Sequence, residues 1–98
     1  MKKLTVRPSV SRFAEAMEFV LRCNDHKTGW QELCNECLIE RMEDEFKELH
    51  EEFFHRTDYK TPDLPDINRM LLEAIDIANF AMMLFDNNRK HYNPEERD

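Results

Sequence analysis

The feature that most constrains this chain is the run MLLEAIDIANFAMMLF, Met70 to Phe85. Its apolar residues occupy nearly the whole circumference of a helical wheel, the signature of a helix covered on several sides. Two carboxylates, Glu73 and Asp76, and one amide, Asn79, are planted inside it. An ionised carboxylate alone in an apolar interior is expensive, so such a group is normally paired, hydrogen-bonded, metal-bound or protonated. The run is only 16 residues long and carries two acids, which is too short and too charged for a membrane span. The rest of the chain must therefore both cover this helix and supply partners for its polar groups.

Two other segments have helical periodicity. Val10, Phe13, Ala14, Met17, Val20 and Leu21 recur at three- and four-residue spacing, predicting a first helix capped by Ser9 or Ser11 and fading around Cys23 to Asp25. A second helix is expected from Trp30 to Asn35 onward, with Asn35 as a cap, reaching Phe54. On it Leu38, Met42, Phe46, Leu49 and Phe53 form a core stripe. The connection NDHKTGW holds the only glycine, Gly29, directly before the only tryptophan, Trp30, and reads as a loop. His55 to Asp66, with two prolines and no periodicity, is the main interhelical loop. The third helix then runs from Pro65 or Asp66 to Asp86 or Asn88, and RKHYNPEERD forms a short tail. With 98 residues and a single glycine, the expectation is one all-α domain over residues 1–98, an antiparallel helical bundle of three main helices plus the tail. So small a chain cannot easily cover its own third helix, so completion by oligomerisation, as a homodimer or homotetramer, is expected.

Fourteen basic against twenty-one acidic residues give a formal charge of −7. This disfavours a nucleic-acid surface, which concentrates positive charge on one face. It leaves room for a nucleotide ligand, because divalent cations bridge carboxylates to phosphates. The N-terminal MKKLTVRPSVSRF has no apolar stretch after its basic residues, so no signal peptide is expected. With three cysteines, an odd number, a reducing cytoplasmic setting is expected.

Glu45 and Glu48 are three apart on the second helix, and Glu73 and Asp76 are three apart on the third. Residues at that spacing neighbour one another on a helix surface. If the two helices pack antiparallel, both pairs can meet near mid-helix, and four carboxylates there require protons or divalent cations. Hard oxygen ligands favour Mg²⁺ or Mn²⁺.

DEFKEL (Asp44 to Leu49) followed by EAID (Glu73 to Asp76) resembles the E-E-x-x-E and E-x-x-D motifs of the MazG-like all-α nucleoside triphosphate pyrophosphohydrolases. RPSV, NDHKTGW and ANFAMMLFDN are similar to small members of that group, often phage- or prophage-borne, so the resemblance spans Arg7 to Asn87. Asp44 stands where the family has its first Glu. The resemblance implies that Glu45, Glu48, Glu73 and Asp76 hold Mg²⁺, and that water attacks a phosphorus of the triphosphate to release monophosphate and pyrophosphate. It also implies a cytoplasmic location, in a bacterial host if the chain is phage-encoded, and a weak preference for dGTP or dATP.

The residues add further expectations. Glu48, furthest round from the core stripe, and Glu45 are candidate catalytic carboxylates. Asn79 could hydrogen-bond a sugar hydroxyl or a metal-bound water, and Trp30 could stack on a base. Lys27, Arg89 and Lys90 are candidates for phosphate contacts.

Simpler roles compete with these. Glu45 and Glu48 could be a solvated helix flank, and Glu73 and Asp76 could be paired with Arg41 or Arg69. The chain would then be a non-catalytic helical interaction or oligomerisation module. Cys23, His26, Cys34 and Cys37 form a C-x2-H-x7-C-x2-C pattern open to zinc. Glu52-x-x-His55 matches half of a di-iron bundle motif, but no second copy exists.

Overall fold

The computed structural model describes residues 4–25, 29–54 and 67–96, and these are helical throughout their ordered elements, with no strand among them. Helix α1 spans Pro8–Cys23, α2 Asn35–Phe54 and α3 Ile67–Asn87, with single 3₁₀ turns at Trp30–Glu32 and Arg89–His91. The expected all-α class and the three-helix order hold. His55 to Asp66, expected as the main loop, lies outside the described residues.

Neither Ser9 nor Ser11 caps α1. The helix begins at Pro8, with Arg7 in extended conformation before it and no side-chain cap. Proline replaces the cap because its fixed φ suits the first helical position and its missing N–H would have been unsatisfied there anyway. At the other end Asn24 closes α1, its side-chain Nδ2 donating to the Val20 carbonyl at 3.1 Å.

Gly29 follows with φ of +100°, a left-handed conformation that glycine adopts without a Cβ clash. It starts the 3₁₀ turn carrying Trp30, so the tryptophan belongs to a separate turn and not to α2. Helix α2 begins at Asn35, and the capping contact comes from Cys34, whose Sγ accepts the Cys37 N–H at 3.2 Å. Asn35 instead exchanges a reciprocal pair of hydrogen bonds with Asn88, at 3.2 and 2.7 Å, tying the start of α2 to the end of α3.

Helix α3 is the axis of the molecule: α2 packs along it most extensively, α1 lies against it, and the Trp30 turn touches it. The α2/α3 pair is antiparallel, because Asn35 meets Asn88 near one end and Glu52 lies 3.6 Å from Arg69 near the other. The Asn87 side chain donates to the Trp30 carbonyl at 3.2 Å, which anchors the turn.

Among the described apolar residues only Leu38 is fully buried, with Met83 nearly so. The α2 core stripe is therefore only partly covered within one chain. Met42 and Leu49 are half-buried, while Phe46 and Phe53 remain 57% and 42% exposed. The stripe is wider than the strip of α2 that one neighbouring helix can shield. Val10 and Phe13 on α1, and Leu71, Leu72 and Phe85 on α3, also stay exposed. The centre of α3 differs: every residue from Glu73 to Phe80 is buried or half-buried, as its all-round apolar pattern requires. No described helix is long and apolar enough to cross a membrane.

Candidate metal centre

The carboxylates meet at the middle of the α2/α3 seam. Glu45, Glu73 and Asp76 are each half-buried, and one oxygen from each lies within 4.8 Å of the others. Antiparallel packing causes this convergence. On α3, Glu73 and Asp76 are one turn apart and face the same neighbour, and the register with α2 brings Glu45 up to both.

Glu48 is exposed and stands outside this trio. It is still close enough to hydrogen-bond Glu73 and to add its negative charge to Glu45, Glu73 and Asp76. Asp44 is exposed on an outer groove shared with Cys37, Glu40, Arg41, Glu45, Glu48 and Phe80, and does not enter the trio.

Burial and mutual repulsion shift this group together. Glu45 holds its proton up to about 8, chiefly because packing removes water from it, then because of its hydrogen bond with Glu73 and the charges of Glu48, Asp76 and Glu73. Glu73 is pushed upward chiefly by desolvation, and so is Asp76, on which the Glu48 charge acts as well. Among the described residues no salt bridge reaches any of the three, so Arg41 and Arg69 do not neutralise them. Arg69 pairs with Glu52 instead.

One Glu73 oxygen, Oε2, is buried without a hydrogen-bond partner. A buried acceptor normally has a partner. Three clustered carboxylates, one of them with a partnerless oxygen, and no salt bridge from a described cation fit a small divalent ion. Glu45, Glu73 and Asp76 could hold it, and Glu48 lies beside them within hydrogen-bond reach of Glu73.

Beside the carboxylates opens a cleft of about 540 Å³, within the size range of small-molecule sites. Glu45 and Asp76 form its acidic edge. Val20, Leu21, Leu33, Phe80 and Met83 supply apolar wall, and Trp30, Asn24, Asn79 and Arg41 add an aromatic face and polar groups. Asp76, Asn79, Phe80 and Met83 fall at helical spacing on one face of α3, so the cleft follows directly from the α3 pattern.

Asn79 is 4% exposed. Its Nδ2 donates to the Met17 carbonyl of α1 at 3.3 Å. Because a carbonyl only accepts, that contact assigns the amide orientation and leaves Oδ1 as the atom without a partner.

Trp30 and Asn79 both line the cleft. Arg89 and Lys90 do not. Arg89 bonds the Asp86 carbonyl at 2.9 Å and lies near its carboxylate. Thirteen residues beyond Asp76, it is displaced about 20 Å along the helix direction at 1.5 Å per residue. Lys27 and His26 lie outside the described residues. The described cation on the cleft is Arg41, which sequence reasoning considered only as a neutralising partner. Its position four residues before Glu45 was the available signal, since that spacing puts both on one face of α2.

Cys34 and Cys37 adjoin one another, but among the described residues Cys23 does not join them as a metal-ligating group. The four-ligand zinc pattern is thus not assembled from its described members. No protein family, no curated protein and no solved structure matches this chain.

Proposed function

We propose that this protein is a Mg²⁺-dependent nucleoside triphosphate pyrophosphohydrolase. The observation that carries the proposal is the convergence of Glu45, Glu73 and Asp76 within 4.8 Å, unpaired with any described cation, on the edge of a cleft with an aromatic wall. A divalent ion bound there supplies charge neutralisation of the triphosphate and acidification of water. The half-buried carboxylates orient the phosphate end of the substrate, and Arg41 offers a fixed charge to the same end. Trp30, Phe80 and Met83 line a space suited to the flat face of a base. Glu48, outside the trio and open to solvent, takes the proton of the attacking water. Bond formation to phosphorus on one side and release of pyrophosphate on the other leave the monophosphate. Mn²⁺ serves as an alternative ion, and dGTP and dATP are the first substrates to try, in a cytoplasmic setting.

The exposed apolar residues on all three helices support a homodimer or homotetramer. Phe46, Leu71, Leu72 and Phe85 are each 45% or more exposed, an unusual density for a monomer of this size. The same residues favour a second reading, a non-catalytic helical interaction module. Product analysis decides between the two. The purified protein is incubated with Mg²⁺ and a panel of ribo- and deoxynucleoside triphosphates, and pyrophosphate is distinguished from orthophosphate, with Asp76→Asn as control. Pyrophosphate and one monophosphate, lost in the variant, establish the hydrolase. No turnover across the panel by a folded, Mg²⁺-replete protein favours the module.

A further inference from the structure

The start of α2 carries two thiols that the candidate metal centre does not use. Cys34 occupies the capping position and Cys37 the third helical position. Their sulfur atoms lie 2.6 Å apart, with the Cys37 N–H also directed at the Cys34 sulfur at 3.2 Å. Both are free thiols, Cys34 exposed and Cys37 half-buried. The helix N-terminus presents partial positive charge to the first of the two. A cysteine at a helix start with a second one three residues on is the arrangement in which a thiolate is stabilised and attacks disulfides.

The local electrostatics agree. The Cys34 thiol is held below its ordinary range, chiefly by the side-chain hydrogen bond it shares with Cys37 and next by the Cys37 backbone N–H, against opposing desolvation and the charge of Glu36. Cys37 is pushed upward, first by its hydrogen bond to Cys34, with desolvation, the Cys34 charge and Glu40 adding to the effect. The two thiols are thus differentiated into an attacking and a resolving member. Cys23, exposed at the end of α1, has no such surroundings.

We propose that Cys34 and Cys37 form a reversible dithiol–disulfide site that reacts with small-molecule disulfides. The Cys34 thiolate attacks one sulfur of the disulfide, forming a mixed disulfide and releasing one thiol. Cys37 then loses its proton and attacks the Cys34 sulfur, releasing the second thiol and closing the Cys34–Cys37 bond. The two cysteines lose two electrons in total, and the small disulfide gains both. The site adjoins the cleft wall: Leu33 lines the cleft immediately before Cys34, and Cys37 lines the outer groove with Glu45 and Glu48.

The test uses the full chain and oxidised glutathione, with bonds mapped by peptide mass spectrometry and thiol reactivity followed with iodoacetamide at neutral pH. None of these readouts depends on hydrolase activity. In the wild type an internal Cys34–Cys37 disulfide forms, and Cys34 is alkylated about tenfold faster than Cys23. Cys37→Ser stalls as a mixed disulfide on Cys34. Cys34→Ser forms no internal disulfide, and because serine is itself a good helix cap its helicity by circular dichroism stays at the wild-type level. Equal alkylation of Cys34 and Cys23, or oxidation only through bonds between molecules, overturns the proposal.

Discussion

Replacing Glu45 by glutamine measures whether the carboxylate cluster is built around a cation. In the folded chain Glu45 keeps its proton up to about 8, well above the ordinary carboxylate range, so the folded state binds protons more tightly than the unfolded state. Stability from this group is therefore complete at low pH and falls as pH rises from the ordinary carboxylate range to about 8. In a dry site a displacement of that size would be worth several kcal/mol, at about 1.4 kcal/mol per pH unit. Water still reaches Glu45, and screening reduces the expected cost to about 1 kcal/mol.

Glutamine keeps a hydrogen-bonding partner for Glu73 and carries no charge at any pH. Without metal, Glu45→Gln should melt about 4–8 °C above wild type at mildly alkaline pH, the shift that about 1 kcal/mol produces in a domain this small. The difference should close near the ordinary carboxylate pKa. With Mg²⁺ at a hundredfold excess over its Kd the order reverses, because wild type gains about 2.7 kcal/mol and the variant has lost a ligand. Thermal unfolding followed by circular dichroism, at one fixed protein concentration, reads both proteins under each of these conditions. A variant less stable than wild type in metal-free alkaline buffer would refute the repulsion inferred here. Equal stabilisation of both proteins by Mg²⁺, or of neither, would refute the cation site.

Other perturbations test separate parts of the structure. Asp76→Asn should leave helicity unchanged and lower kcat at least a hundredfold, measured as pyrophosphate release. Trp30→Ala should raise KM for the preferred nucleotide about tenfold with a smaller change in kcat, as expected when about 1.4 kcal/mol of stacking is lost. Leu38→Ala removes a fully buried side chain and should cost about 3 kcal/mol in urea denaturation. Gly29→Ala meets open space but must adopt φ of +100°, so a loss of about 1 kcal/mol is expected without any steric clash.

Much of the architecture was legible because helical periodicity is a local property. The apolar spacing of α1 and α2 and the all-round apolar pattern of α3 located three helices, and Gly29 marked the turn before Trp30. Helix starts were less legible. Ser9, Ser11 and Asn35 are good caps by type, yet α1 starts at Pro8 without a side-chain cap, Cys34 caps α2, and Asn35 is drawn to Asn88. Capping groups compete with tertiary partners of similar energy, and local sequence does not decide the outcome.

The carboxylates show the same division. Residue type and three-residue spacing sufficed to single out Glu45, Glu48, Glu73 and Asp76, since acids inside an apolar helix need an answer wherever the chain folds. Which oxygens converge was a matter of register. The α2/α3 packing brings Glu45 into the trio, leaves Glu48 exposed at its edge, and puts Arg41 on the cleft while Arg89 binds back to Asp86. Sequence by itself determined that there would be helices and which faces and acids they would carry, because backbone geometry repeats every few residues. Only the tertiary structure decided which groups meet across the seam, because a rotation of either helix by less than one residue exchanges one carboxylate for another.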